Sequence, residues 1–196
     1  MTEKKTIQSV CVYCSSSTKI SPVYVEAAEK LGRLLGERGI RVVNGGGTIG
    51  LMRNISDAAL KAGGSVTGVI PRFMMENRWG HSGLSELIEV DTMHERKQTM
   101  ANMADAVIAL PGGCGTLEEL LEIITWRQLG LYEGPVIILN TNSYFDPLIE
   151  MLKRAIEEQF MHPGHALIWT VVDTPEEAVR FNVNEYQHID KNVRMI

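Results

Sequence analysis

The chain has 196 residues, with 19 Lys and Arg residues against 24 Asp and Glu residues, and so a formal net charge of −5 at pH 7. Hydrophobic residues make up 44% and charged residues 22% of the sequence, which excludes a disordered tail protein, a collagen-like fibre and a coiled coil. The acidic balance argues against a general nucleic-acid-binding protein, because such proteins usually present a basic face. The length indicates a single domain over residues 1–196.

Short apolar runs alternate with amphipathic segments along the chain. Runs bounded by Gly, Pro, Asn or Asp predict seven strands, at residues 9–13, 40–43, 65–70, 86–90, 106–110, 135–139 and 168–172. Helical spacing between them is clearest from Ala27 to Leu35, and Thr174-Pro175 predicts the start of a last helix. This alternation predicts an α/β fold of Rossmann-like type, a doubly wound parallel sheet flanked by helices.

The three cysteines and the hydropathy pattern indicate a cytoplasmic protein. Three cysteines do not make a disulfide framework, so a reducing compartment is favoured. The first ten residues lack the apolar core of a secretory signal. No apolar run approaches the roughly 20 residues that a membrane-spanning helix needs, so we expect no membrane association.

The first predicted strand contains Cys11 and leads to Cys14, at C-x-x-C spacing. A redox pair of this kind normally opens a helix, and a zinc site needs a second pair of ligands. Buried structural thiols are therefore the favoured interpretation. The turn Cys14-Ser15-Ser16-Ser17 either contacts a phosphate or ribose, or simply caps the helix that begins near Pro22.

Two glycine-rich segments directly follow predicted strands. They are Asn44-Gly45-Gly46-Gly47-Thr48-Ile49-Gly50 and Pro111-Gly112-Gly113-Cys114-Gly115-Thr116, and each leads into a helix. Glycine lets a backbone approach a ligand closely, and the N–H groups at a helix start favour an anion. Tight turns without a ligand are the alternative, but two such segments at strand exits favour phosphate. Neither segment is a Walker loop or a good dinucleotide fingerprint.

Charged residues flank the second glycine-rich segment. Thr116 and Glu119 match a capping box, with Thr116 as the N-cap, and that structural role alone would explain Glu119. Upstream, Met93-His94-Glu95-Arg96-Lys97 begins a predicted helix, in which Met93, Met100 and Met103 are expected in the core. The next strand delivers the second glycine-rich segment, so this helix start is expected near Glu119.

Three motifs together resemble the LONELY GUY (LOG)-type phosphoribohydrolases, cytokinin-activating enzymes that are often labelled lysine decarboxylases. They are P-G-G-x-G-T-x-x-E at residues 111–119, M-H-E-R-K at 93–97 and G-G-G-T-I-G-L-M at 45–52. The resemblance extends from about Val10 to the last helix. It implies hydrolysis of the N-glycosidic bond of an adenine-type nucleoside 5′-monophosphate, either cytokinin riboside monophosphate or AMP, to the free base and ribose 5-phosphate. It also implies an assembly of two or more subunits, of which we expect a homodimer, and we expect the reaction to need no metal or other cofactor.

The resemblance assigns roles to individual residues. Arg96 and Glu119 match the family's catalytic pair. The implied substrate-binding residues are Glu76, Lys97, Gly113, Cys114, Gly115, Thr116, Leu117, Glu118 and Thr125. The glycine-rich segments add Gly45, Gly46, Gly47 and Gly112 as expected substrate-binding residues. The chain departs from the family pattern at Asn44, where many relatives have an aromatic residue, and at Cys114, where Tyr is common.

Two other functions are compatible with parts of the pattern. A non-hydrolytic nucleotide or cofactor carrier is the alternative, because molybdenum-cofactor carrier proteins share a similar glycine signature; the Arg96–Glu119 pair favours the enzyme. A pyridoxal-phosphate lysine decarboxylase would need a Schiff-base lysine, and no lysine has that setting.

Overall fold

The computed structural model describes residues 6–180, in which seven strands form one parallel sheet. They are β1 (Ser9–Tyr13), β2 (Arg41–Asn44), β3 (Val66–Pro71), β4 (Glu86–Val90), β5 (Ala106–Ala109), β6 (Val136–Leu139) and β7 (Trp169–Val172). The strand order is β4-β3-β2-β1-β5-β6-β7, and each neighbouring pair is parallel. The α/β fold class and all seven predicted strands are confirmed, with boundaries that differ by no more than one residue. The single domain over residues 1–196 stays a prediction.

Helices cover both faces of the sheet. They are α1 (Pro22–Glu37), α2 (Gly50–Lys61), α3 (Arg72–Glu76), α4 (Met93–Asn102), α5 (Cys114–Leu129), α6 (Asp146–Glu157) and α7 (Pro175–Ala178). One apolar cluster joins the sheet to α1, α2 and α7, and a second joins it to α4, α5 and α6. The inner strands β1, β2, β3, β5 and β6 are buried on both faces, which explains why their sequences are apolar without alternation.

The C-x-x-C residues belong to different layers of this core. Cys11 packs in the cluster beneath α4 to α6, whereas Cys14 packs in the cluster beneath α1 and α2. Both are buried free thiols at the first strand and its exit. The interpretation as structural thiols is therefore confirmed.

Helices α1 and α2 approach each other at backbone distance. A Cβ atom at Gly32 would lie 2.3 Å from the Ile55 carbonyl oxygen, and one at Gly36 would lie 2.5 Å from that of Ala59. Only glycine permits this contact, which fixes α2 and the glycine-rich segment that leads into it.

The chain reverses its direction across the sheet between β1 and β5. From β1 it proceeds outward through β2 and β3 to β4, and it then returns to place β5 on the other side of β1. Ligands of doubly wound sheets bind beyond the strand ends at such a switch point. Within residues 6–180, no helix has both the length and the apolar character needed to cross a bilayer.

Candidate active site

A cavity of about 390 Å³ opens at this switch point. Its walls are the exits of β1, β2 and β5 together with the beginnings of α4 and α5. Nine of the site residues predicted from the sequence line it: Gly45, Arg96, Lys97, Gly113, Cys114, Gly115, Thr116, Glu118 and Glu119. The prediction that the start of α4 lies near Glu119 is confirmed.

The second glycine-rich segment begins α5 earlier than the capping-box prediction required. The helix starts at Cys114, and Gly113 is the N-cap residue, with extended backbone angles (φ −82°, ψ −158°). Thr116 is therefore already inside the helix and buried, and its hydroxyl caps nothing. The capping-box prediction was wrong. Since residues three apart lie on one helix face, Thr116 and Glu119 both line the cavity.

The Glu119 carboxyl is half-buried and has an unusually high pKa. Burial raises its pKa from 4.5 to about 7, against the opposing effect of the Arg96 charge. Among residues 6–180, it makes no hydrogen bond and no ion pair, although it lines the cavity with Arg96 and Lys97. A carboxyl that is partly ionised at neutral pH and open to a cavity is suited to acid–base or electrostatic catalysis.

Backbone carbonyl groups hold Arg96 in place. Its Nε donates to the Val69 oxygen at 3.0 Å, and its Nη2 donates to the Gly45 oxygen at 3.0 Å. Its third nitrogen, Nη1, lies 3.8 Å from the Met93 sulfur. The guanidinium group thus bridges β3 and the exit of β2, and its orientation in the cavity wall is fixed.

The Arg96 contact explains the glycine at position 45. A Cβ atom there would lie 1.8 Å from Arg96 Nη2. Gly45 therefore makes room for the guanidinium group, whereas the sequence had suggested that it makes room for a ligand.

Lys97 is buried and already has two acidic partners. Its Nζ donates to Glu118 at 2.9 Å and to Glu122 at 3.1 Å, and these contacts raise the pKa of Lys97 even though burial opposes the charged form. Lys97 thus connects α4 to the second and third turns of α5 as a permanent cation.

Six predicted site residues do not line the cavity: Gly46, Gly47, Glu76, Gly112, Leu117 and Thr125. Their substrate contacts stay predictions. Glu76 is exposed at the end of α3, and Thr125 is exposed on α5, where its hydroxyl donates to the Leu121 carbonyl. Gly112 has a steric role, because a Cβ atom there would lie 2.1 Å from the Thr116 hydroxyl oxygen.

The structure adds residues that sequence reasoning had assigned elsewhere or left open. Met93 was expected in the core but is 37% exposed at the start of α4 and lines the cavity; the helical spacing that it shares with Met100 gave no sign of this. Ser15, Ser16 and Ser17 line the same cavity. Their position beyond β1, at the switch point, was the signal that could have placed them.

Comparisons with known proteins agree with this arrangement. A family model described as "possible lysine decarboxylase" matches residues 52–181. The probable cytokinin riboside 5′-monophosphate phosphoribohydrolase LOGL2 of Oryza sativa subsp. japonica is 42% identical over 186 residues, 95% of this chain and 76% of that protein. The cytokinin riboside 5′-monophosphate phosphoribohydrolase LOG7 of Arabidopsis thaliana is 44% identical over 184 residues, 94% and 84% of the two chains.

A solved structure shares the fold at low sequence identity. The molybdenum cofactor carrier protein of Chlamydomonas reinhardtii superposes with a TM-score of 0.69 at 19% identity, and the match covers 91% of this chain and 96% of the carrier. At this identity the likeness concerns the fold alone.

Proposed function

The chain belongs to the LOG family of phosphoribohydrolases, and on that premise we propose that it hydrolyses adenine-type nucleoside 5′-monophosphates to the free base and ribose 5-phosphate. One observation carries the proposal: the half-buried Glu119 carboxyl and the fixed Arg96 guanidinium group share a cavity with the N-terminus of α5. Such a cavity offers a carboxyl group that can act at the reacting ribose carbon and backbone N–H groups that can bind the phosphate.

The phosphate would bind at the beginning of α5. The first N–H groups of an α-helix have no partner within the helix, and the helix dipole adds partial positive charge there. Gly113, Cys114, Gly115 and Thr116 present this end of α5 to the cavity. A phosphate on these N–H groups would hold the ribose in a fixed place relative to Glu119.

Glu119 would act on the ribose carbon whose bond to the base is broken. As that bond breaks, positive charge develops on the sugar and negative charge on the leaving base. An ionised Glu119 would stabilise the positive sugar and accept a proton from the attacking water, as carboxylates do in glycosidases. Solvent water would supply the proton that the leaving base takes up. A pKa of about 7 gives it both a useful ionised fraction and the basicity for that transfer.

Arg96 would assist without exchanging a proton. A guanidinium group stays protonated at neutral pH. Two of its nitrogens are held by backbone carbonyls, so Nη1, with the Met93 sulfur at 3.8 Å, is the nitrogen through which we expect it to contact the substrate. Its charge also counteracts the effect of burial on the Glu119 pKa.

The environment of Lys97 argues against lysine decarboxylase chemistry. A lysine that forms a Schiff base must lose its proton easily, whereas Glu118 and Glu122 hold Lys97 in its charged form. The description of the matching family model therefore does not fit the lysine that lines this cavity.

We also propose that the protein is a cytoplasmic homodimer. Leu121, Thr125 and Leu129 follow one another at four-residue intervals on α5, and Leu121 and Leu129 are 40% and 55% exposed. This mostly apolar stripe starts beside Glu118 and Glu122. A second subunit packed on it would therefore lie close to the cavity and would bring its own Thr125 toward that cavity. The free thiols of Cys11, Cys14 and Cys114 support a reducing compartment.

The decisive experiment is incubation with AMP and with an N6-prenylated AMP, followed by chromatography for the free base and ribose 5-phosphate. We expect both products in equal amounts, and we expect Glu119→Gln and Arg96→Ala to abolish them while circular dichroism stays unchanged. Tight binding of both nucleotides without cleavage would refute the proposal and favour a carrier. Light scattering should give twice the mass of 21.8 kDa, and Leu129→Glu should reduce it to that of a monomer.

A further inference from the structure

The orientation of Arg96 depends on one acceptor in a glycine-rich loop. The Val69 carbonyl that receives Nε belongs to β3, where Val69 is paired with Ile88 of β4. The Gly45 carbonyl that receives Nη2 belongs to a loop of consecutive glycines. Glycine peptides rotate easily, so something else has to hold the Gly45 carbonyl.

The side chain of Asn44 holds the peptide group to which this carbonyl belongs. The Gly45 carbonyl and the Gly46 N–H are the two ends of a single peptide unit. Gly46 N–H donates to Asn44 Oδ1 at 2.9 Å, and the Gly45 oxygen accepts from Arg96 Nη2 at 3.0 Å. The peptide plane is therefore fixed from both sides, by Asn44 on one and by Arg96 on the other.

Asn44 is in turn anchored to α2. Its Nδ2 donates to the Ser56 hydroxyl at 2.9 Å, and that hydroxyl donates to the Met52 carbonyl at 2.7 Å. Asn44 and Ser56 are fully buried, where hydrogen bonds in series strengthen one another. This position requires a side chain that accepts from Gly46 and donates to Ser56 at once, which an amide does and an aromatic ring does not.

We propose that Asn44 is a positioning residue for Arg96, acting through the peptide unit between Gly45 and Gly46. The proposal rests on the proposed function only for its effect on turnover. The positioning of Arg96 is itself a property of the folded chain and can be measured without substrate.

Three variants separate positioning from folding. Asn44→Leu keeps the approximate volume and removes both hydrogen bonds. Asn44→Ser keeps a hydroxyl that can accept from the N–H two residues later, as serine does in turns. Asn140→Leu is the matched control, because Asn140 is a buried asparagine whose Oδ1 also accepts from a loop N–H, that of Phe145 at 2.7 Å.

The first measurement is hydrogen exchange of the Arg96 side-chain N–H groups by NMR, with the resonances assigned by their loss in Arg96→Lys. We expect protected signals in the wild type and in Asn140→Leu, at least about tenfold faster exchange in Asn44→Leu, and intermediate protection in Asn44→Ser. Unchanged protection in Asn44→Leu would overturn the proposal. If Asn44→Leu does not fold, intermediate protection in Asn44→Ser together with its loss in Asn44→Gly gives the expected result, and equal protection in those two overturns it.

The second measurement is turnover of AMP. Asn44→Leu should lower kcat by roughly ten- to hundredfold, the effect of misplacing a reacting group by about 1 Å, while KM stays within about twofold. In an Arg96→Lys background the same change should lower kcat by less than about twofold, since the group that it positions is gone. An equal factor in both backgrounds would mean that Asn44 acts independently of Arg96. A wild-type protein that releases no base refutes the proposed function instead, and the exchange result still decides the role of Asn44.

Discussion

Replacement of Glu119 by glutamine removes a charge while keeping the shape of the side chain, and we expect it to stabilise the protein. Burial raises the pKa of Glu119 from 4.5 to about 7. Between these values the unfolded chain binds fewer protons than the folded one, so the stability of the wild type falls as pH rises through this window. At about 1.4 kcal/mol per pH unit, the ionised carboxylate costs about 3 kcal/mol above pH 7.

Denaturant unfolding of wild type and Glu119→Gln between pH 4 and 8.5, at one protein concentration, measures this difference. The two proteins should be about equally stable at pH 4.5 and below, and the variant should gain progressively until about pH 7 and then stay ahead by about 3 kcal/mol, or roughly 6–12 °C in Tm. Glu26→Gln, an exposed glutamate on α1, is the control and should follow the wild type throughout. A Glu119→Gln variant that is less stable than wild type at pH 8 would show that favourable contacts hold the carboxylate and that its burial does not destabilise the folded protein.

Three further predictions concern the ionisation of Glu119, the charge of Lys97 and the contact between α1 and α2. The kcat/KM for AMP should rise with pH and level off above about 7, because the proposed mechanism uses the ionised form of Glu119; a rate that is flat from pH 5 to 8 would contradict this. Lys97→Met should move the rise in kcat/KM to higher pH, because the Lys97 charge lowers the pKa of Glu119 whereas Glu118 and Glu122 raise it. Adding Glu118→Gln and Glu122→Gln to this variant should move the rise back to lower pH. A higher KM in Lys97→Met with an unshifted pH profile would make Lys97 a phosphate ligand instead. Gly32→Ala should destabilise the protein by about 1–3 kcal/mol in denaturant unfolding because its Cβ would meet the Ile55 carbonyl, whereas Gly115→Ala, with no atom within 4 Å of its Cβ, should not destabilise it.

Local patterns were sufficient to predict the sheet and much of the cavity wall. Each strand is a short apolar run between turn residues, and parallel connectivity places the exits of β1, β2 and β5 at the same edge of the sheet. The capping box failed because Thr116 and Glu119 fit it equally well whether the helix begins after Thr116 or two residues before it. The extended backbone of Gly113 decides between these starts, and sequence spacing carries no information about it.

Contacts between distant residues account for the rest of what the sequence did not reveal. Arg96 and Gly45 are 51 positions apart, so no local pattern could show that this glycine makes room for a guanidinium group. The same holds for Asn44, which looked only like a departure from the family pattern. Its partner Ser56 lies on α2, 12 positions later, and the hydrogen bond between them forms only once α2 is packed beside β2.

The charges around the cavity bear on how an acidic chain could hold a nucleotide and cleave it. Glu118 and Glu122 already offset the charge of Lys97, so we expect the N–H groups of α5, rather than Lys97, to hold the phosphate. A phosphate bound there adds negative charge near Glu119 and raises its pKa further, so substrate and ionised carboxylate repel each other in the ground state. When positive charge develops on the ribose between them, both negative groups stabilise it. The repulsion is then relieved in the transition state, which is the difference in binding that accelerates a reaction.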